Sequence, residues 1–409
     1  MRALQGKEPV ARRLAGAVGL ERSAPPFRGG RLPALLWGLQ LAVLAPVLAL
    51  LLVSLYGATA TEVGWVLATY NASGFAASLL LTYWADRRGN YLLPQLVCAG
   101  LSLALAFTLA VATSLPWATV ALILLGAPAG VGGPLLLAQL RAAGRSTAEI
   151  IDARAMFSLA WVLGPPVATA LMAWSGGLAV LAVVGLAAVG SALVGAVQVR
   201  SGRRLVRHEV AELAPHPSAD VPQRRVRVAV VFAALSVAQA ADVAAVSVMA
   251  LLVGEYLGLP LAWAGIALGA AAALEIPALL AMGRLHSGTV PARLLLVGCG
   301  SGAGYFAALA FVIDPLSLVF AQALNAIFFA AVAAMGLTLF QLMVPKPGLA
   351  TGLFVNTRRV GAIFAGPLIG LVDTPAGYPG LLAACAALAL VGGLVTWLAA
   401  RRVRTASDI

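Results

Sequence analysis

The chain has 409 residues, 61% of them hydrophobic and only 10% charged, with a formal net charge of +12 and a mean hydropathy of +0.97. Soluble domains carry roughly 25% charged residues, so this composition excludes a soluble enzyme, a disordered chain and a disulfide scaffold. The basic charge does not point to nucleic acid. Lys7 and Lys346 are the only lysines, and the arginines sit in short clusters between long apolar runs, a pattern of membrane topology.

A helix that crosses a bilayer needs about 20 mostly apolar residues. In chain order the stretches that qualify are 32–56, 62–84, 91–112, 116–140, 154–174, 177–198, 228–253, 262–284, 293–313, 316–340, 349–372 and 379–400. Residues 1–31 are polar and basic, without the apolar segment and cleavage site of a signal peptide, and are expected as a cytoplasmic N-terminal segment. Residues 199–227, rich in Arg, His and Pro, read as a cytoplasmic linker between an N-terminal six-helix half (32–198) and a C-terminal one (228–400); 401–409 is a basic tail. The expected fold class is therefore an all-α membrane protein with twelve transmembrane helices in two six-helix halves.

The basic residues orient these spans. With the N-terminus placed inside, every Lys and Arg falls at an inner loop, the linker, a terminus, or the inner part of a span. The outer connections carry only acids, Glu62, Glu255, Asp314 and Asp373. One missed span would spoil this partition. Both termini are expected in the cytoplasm, the protein in the cell membrane as a multi-pass chain surrounded by lipid.

Polar side chains inside spans repeat by threes. Spans 3, 6, 9 and 12 are poorest in them, whereas others hold Gln40, Asn71, Arg154, Gln239, Asp242, Glu275, Gln322, Asn325, Asn356, Arg358 and Arg359. A bundle in which every third helix faces lipid while the rest line a cavity produces this pattern. Cys98, Cys299 and Cys385 are scattered in apolar runs and read as packing residues; His208, His216 and His286 lie in connections. No metal site or cofactor is expected.

Several strings carry a resemblance. The turn Asp86-Arg87-Arg88-Gly89 is similar to the loop 2–3 motif of the major facilitator superfamily, with Thr82 in place of its leading glycine and Asn90 in place of its trailing basic residue. Gly164-Pro165 in span 5 resembles the exporter motif of that superfamily, with Ala168 and Thr169 where a glycine pair stands. Arg154, Ser158-Leu159-Ala160-Trp161, Leu274-Glu275-Ile276-Pro277-Ala278, Asn325-Ala326, Phe340-Gln341, Leu353-Phe354 and Asn356 look like the strings of bacterial sugar efflux transporters, in the same order. The resemblance implies the major facilitator fold and proton-driven antiport of sugars and glycoside analogues out of the cell, with a small-molecule substrate and no enzyme centre. Arg358-Arg359 departs from the small or hydroxyl residues expected there, which leaves the substrate range open.

Candidate residues follow from the cost of charge in a membrane, several kcal/mol for a mid-span carboxylate. Glu275 is the first candidate for proton coupling; the alternative is an ion pair locking helix 8 to helix 11 or 5. Asp242 is the second, with Gln239 three residues earlier on the same face; both read either as binders of sugar hydroxyls or as interhelical hydrogen bonding. Arg154 reads as a partner of an acid or as a snorkelling cation. Trp161 reads as a ring stacked on a sugar or as a packing aromatic. Trp37, Gln40, Asn71, Gln322, Asn325 and Asn356 offer donors and acceptors without fixed charge, suited to a neutral polyol, or satisfy one another in the core. Arg358 and Arg359 point about 100° apart, so at least one faces protein, with Glu275 or Asp242 as partner. Asp86, Arg87, Arg88 and Gly89, with Gly164 and Pro165, are expected to gate. The leading function is proton-coupled sugar efflux by a monomer. A drug exporter of the same fold is the alternative, and a membrane sensor without transport is the alternative of another class. An enzyme would need a nucleophile, metal cluster or paired carboxylates near one interface, and the spacing offers none.

Overall fold

A computed structural model describes residues 30–143, 145, 147–200, 221–286, 291–344 and 347–400. Most of the N-terminal segment, the greater part of the linker with His208 and His216, Lys346 and the tail lie outside these residues. Among the described residues the chain forms α1 (Arg31–Tyr56), α2 (Ala60–Arg88), α3 (Leu92–Val111), α4 (Leu115–Ala142), α5 (Thr147–Ser175) and α6 (Gly177–Arg200). The second half follows with α7 (Val221–Leu251, continued by a π-helical turn Leu252–Tyr256), α8 (Ala262–His286), α9 (Pro291–Leu309), α10 (Pro315–Met343), α11 (Pro347–Ile369, continued by a 3-10 turn Gly370–Asp373) and α12 (Gly377–Ala400). Ten of these are long and apolar enough to cross a membrane. The two that fall short, α2 and α11, are diluted by polar groups such as Asn71, Asp86, Asn356 and Arg358. They pack against each other.

Local signals set the ends. Thr59 opens α2 with a reciprocal capping box to Glu62, and Asp314 opens α10 by accepting from the Leu316 and Ser317 N–H groups. Gly89 closes α2 at φ 60, a left-handed position that suits glycine. Helix α7 begins at Val221, inside the stretch expected as linker. Pro222 is tolerated in a first helical turn, and Arg224 Nε donates to the Met343 carbonyl at the end of α10 at 2.5 Å, where a cation meets the carbonyl end of the helix dipole. Helix α5 likewise starts earlier than the apolar run, in a polar turn tied down by Arg31–Asp152 (2.6 Å) and Arg145–Glu149 (3.0 Å).

The halves repeat one arrangement. In the first, α1 packs on α5 and α6, and α6 on α3; in the second, α7 packs on α11 and α12, and α12 on α9. Helices α4 and α10 carry π-helical turns at matching places, Leu122–Gly126 and Val332–Gly336. The outer faces of α3, α6 and α12 are apolar and exposed, through Phe107, Leu186 and Leu394 among others, as lipid contact requires.

One end of the bundle carries the arginines of the α2–α3 and α4–α5 connections; the other carries Glu62, Glu255, Asp314 and Asp373. We call these the basic and acidic ends. The halves meet closely toward the acidic end. There α2 and α11 touch backbone to backbone: a Cβ on Gly64 would sit 2.2 Å from the Gly366 carbonyl oxygen. Helix α8 meets α5 in the same way, since a Cβ on Gly265 would lie 2.5 Å from the Pro165 oxygen. Pro166 leaves the Val162 carbonyl without its helical donor, and Gly269 lets α8 approach that oxygen, with a built Cβ only 2.8 Å away.

Candidate functional site

Between the halves lies a chamber of about 390 Å³, within the ~300–1,000 Å³ usual for small-molecule sites. Helices α1, α5, α7, α8, α10 and α11 line it, and α3, α6, α9 and α12 contribute nothing to its wall. The helices poor in polar groups thus stand outside the wall, as the polarity pattern predicts, but α2 and α4 are absent from it as well. A second chamber of about 330 Å³ adjoins it, walled by α1, α2, α5, α7 and α11. Leu41, Trp161, Val246 and Arg358 belong to both walls.

The charged groups of the first chamber come from the second half. Arg358 Nη1 donates to Asp242 Oδ2 at 2.6 Å, joining α11 to α7. The Arg358 guanidinium also lies 5.2 Å from the centre of the Phe329 ring, within the range of a cation–π contact. The Asp242 side chain is 6% exposed and that of Arg358 is 39% exposed, so one end of the pair is dry and the other faces the cavity. Glu275 from α8 lines the same chamber, half-buried, and forms no ion pair among the described residues. Of the two partners considered for the α11 arginines, Arg358 therefore takes Asp242.

Other candidates separate into groups. Trp161 lines both chambers, Asn71 the second and Asn325 the first. Asn325 Nδ2 donates to Gln322 Oε1 at 3.2 Å, and the Asn325 Oδ1 atom is buried without a hydrogen-bond partner. An acceptor in that state is a suitable receiver for a ligand hydroxyl. Gln322 is fully buried behind Asn325. Gln239 is turned away from the cavity: it donates to Thr357 Oγ1 and ties α7 to α11. Gln40 donates to Ser191 Oγ at 2.8 Å and ties α1 to α6. Trp37 is pressed against Gly132, where a Cβ would meet the indole at 2.1 Å. Trp37 and Gln40 thus border a small void of about 70 Å³ inside the first half, which shares Leu41, Leu44, Tyr70 and Phe157 with the walls of the central chambers. Asn356 is half-buried on α11 outside both walls. Arg154 is exposed on α5.

The expected gating residues also separate. Asp86 accepts from the Tyr91 hydroxyl at 2.5 Å, Arg87 reaches the Tyr83 hydroxyl at 3.4 Å, and Arg88 stacks over Trp84 at 4.7 Å. All these partners are local to the α2–α3 turn. Gly164 is a close-approach position within the first half, where a Cβ would meet Ala42 at 2.5 Å, whereas Pro165 stands at the α5–α8 seam. Phe157, Phe329 and Tyr70 line the chambers without having been singled out. Phe157 and Phe329 each lie four residues from a singled-out residue, Trp161 and Asn325, so helical spacing contained the signal. Among the described residues no group of three or more His, Cys, Asp or Glu gathers to hold a metal.

Two packed six-helix halves around a central chamber, with charge concentrated at membrane depth, define a secondary transporter. Residues 34–318 match the profile of the Major Facilitator Superfamily, and the chain belongs to that superfamily of transporters; it is not an enzyme. It is 28% identical over 362 residues to sugar efflux transporter A of Escherichia coli (strain K12), covering 85% of this chain and 89% of that one. It is 34% identical over 220 residues to sugar efflux transporter A of Dickeya chrysanthemi, covering 54% and 55%. Its fold is similar to that of an auto-inhibited peptide transporter of the POT family, with a TM-score of 0.75, 15% identity and coverage of 93% and 97%.

Proposed function

We propose that the protein carries sugars or glycoside-like small polar compounds out of the cell in exchange for protons, by alternating access. The observation that carries this reading is Glu275, a carboxyl group facing the chamber beside an already neutralised Asp242–Arg358 pair. A carboxyl group in that place can hold a proton in one conformation and release it in another, because closing the chamber changes its contact with water. Trp161 offers a ring for the apolar face of a sugar, and Asn71 and Asn325 offer amides for its rim. The names of the relatives support sugars as the substrate class. The close seam at the acidic end leaves the basic end as the route of entry, and the placement of arginines makes that end cytoplasmic.

Counterflow of a labelled sugar panel in proteoliposomes, run beside a cationic drug panel, tests the substrate. Sugars should exchange and drugs should not. Phe157, Trp161 and Phe329 with two carboxylates in one chamber favour a drug exporter as the second reading, and the opposite result would establish it. Glu275→Gln tests the coupling: it should keep counterflow but lose accumulation driven by a pH gradient. Normal gradient-driven flux in that variant would transfer the proton to Asp242.

A further inference from the structure

Helix α11 presents two adjacent guanidiniums to the chambers, and only one has an acid. Arg358 is neutralised by Asp242. Arg359 lines the second chamber with Tyr70, Asn71 and Trp161, and that wall contains no carboxylate. Arg359 Nη1 donates to the Ser78 hydroxyl on α2. Among the described residues the ion pairs are Arg31–Asp152, Arg145–Glu149 and Arg358–Asp242, so Arg359 has no anionic partner. Glu275 stands in the wall of the other chamber.

A guanidinium stays charged under all ordinary conditions and has five donors in a planar fork. At membrane depth an unpaired charge is strongly unfavourable, whereas the same fork binds a carboxylate through two parallel hydrogen bonds. An anion entering the second chamber would complete the set. It would meet one unbalanced positive charge there, which matches a monoanion better than a phosphate ester carrying nearly two charges.

We propose that the second chamber is an anion subsite and that the preferred substrate is a sugar acid with a single carboxylate. The carboxylate binds Arg359, and the ring extends past Trp161, which both chambers share, toward Asn325. This rests on the sugar reading above and narrows it. It also gives a role to the residue pair at which the chain departs from the pattern it resembles.

The test is counterflow at neutral pH in proteoliposomes with labelled galactose, galacturonate and galactose 1-phosphate, using the wild-type chain, Arg359→Gln and Arg359→Lys. Galacturonate should exchange on the order of tenfold more efficiently than galactose, the scale of one charge-assisted contact. Arg359→Gln should erase that preference while keeping galactose exchange, and Arg359→Lys should keep most of it. If galactose exchanges and galacturonate does not, or if Arg359→Gln leaves their ratio unchanged, the subsite is overturned while sugar transport stands. Preference for galactose 1-phosphate overturns the carboxylate assignment. If Arg359→Gln loses galactose exchange too, the lysine variant decides: a retained preference supports the subsite and a lost one overturns it. If no sugar exchanges but a cationic drug does, the sugar reading itself falls, and this inference with it.

Discussion

The acidic and basic ends of the bundle are built from different contacts. At the acidic end the halves are locked by backbone: Gly64 on Gly366, Gly265 on Pro165 and Gly269 on Val162. A cap is added there, because Asp373 from the end of α11 accepts from the Ala60 and Thr61 N–H groups at the start of α2. That carboxylate closes the positive end of a helix dipole across the seam. At the basic end, the Asp86–Gly89 turn after α2 makes its contacts locally, through Tyr91, Tyr83 and Trp84. No glycine of the described residues brings the halves together there. The difference teaches that this conformation is held from one side, by close approach that tolerates no side chain. Switching it requires opening a glycine seam and forming contacts at the basic end.

Gly64→Val should have the largest effect. Its Cβ would collide with the Gly366 backbone, which cannot rotate away as a side chain could; overpacking of this kind costs about 1–3 kcal/mol. The acidic end should open, and a cysteine placed at Thr61 should react faster with a membrane-impermeant thiol reagent. The natural cysteines, Cys98, Cys299 and Cys385, are buried and give little background. An unchanged labelling rate would mean that the seam is not the lock.

Asp373→Asn should loosen the same end by less, about 1 kcal/mol for a lost helix cap. Its pH dependence has a definite sign. Burial alone would raise the Asp373 carboxyl, but hydrogen bonds from Thr61 and Ala60 outweigh it and hold the group below its usual value. The stabilisation is therefore complete above the ordinary carboxylate range and is lost as pH falls through and below it. Because the thiolate is the reacting form, the labelling rate at Thr61→Cys is divided at each pH by that of a free thiol; this ratio should rise in acid for the wild-type background and stay flat when Asp373→Asn is added.

The smallest effect is expected at the other end. Arg88→Ala removes an exposed cation–π contact of about 0.5 kcal/mol and should leave both thermal stability and acidic-end labelling nearly unchanged. A large shift in labelling would show instead that the α2–α3 turn is coupled to the distant seam.

The order of the helices and their division into halves could be read from the sequence because both follow from chain-local facts: apolar runs of bilayer length, and arginines confined to alternate connections. The same locality revealed that α3, α6, α9 and α12 stand outside the cavity, since a helix with few polar groups has nothing to offer a wet chamber. Partnership was not legible. Gln40, Gln239 and Asn325 look alike as single amides within spans, yet the first two bind neighbouring helices through Ser191 and Thr357 while the third bonds Gln322 on its own helix. Gln40 and Asn325 each keep a buried oxygen without a partner, and of these two Asn325 stands at the wall of the central chamber. Sequence left Arg358 with two possible acids; the packing of α7 against α11 gave it Asp242 and left Glu275 facing the cavity. Hydrophobicity and charge act on each segment by itself, so the sequence sufficed for the order of the helices. Which polar group is paired and which is left for a ligand depends on helix rotation and approach across the bundle, and only the tertiary structure decided that.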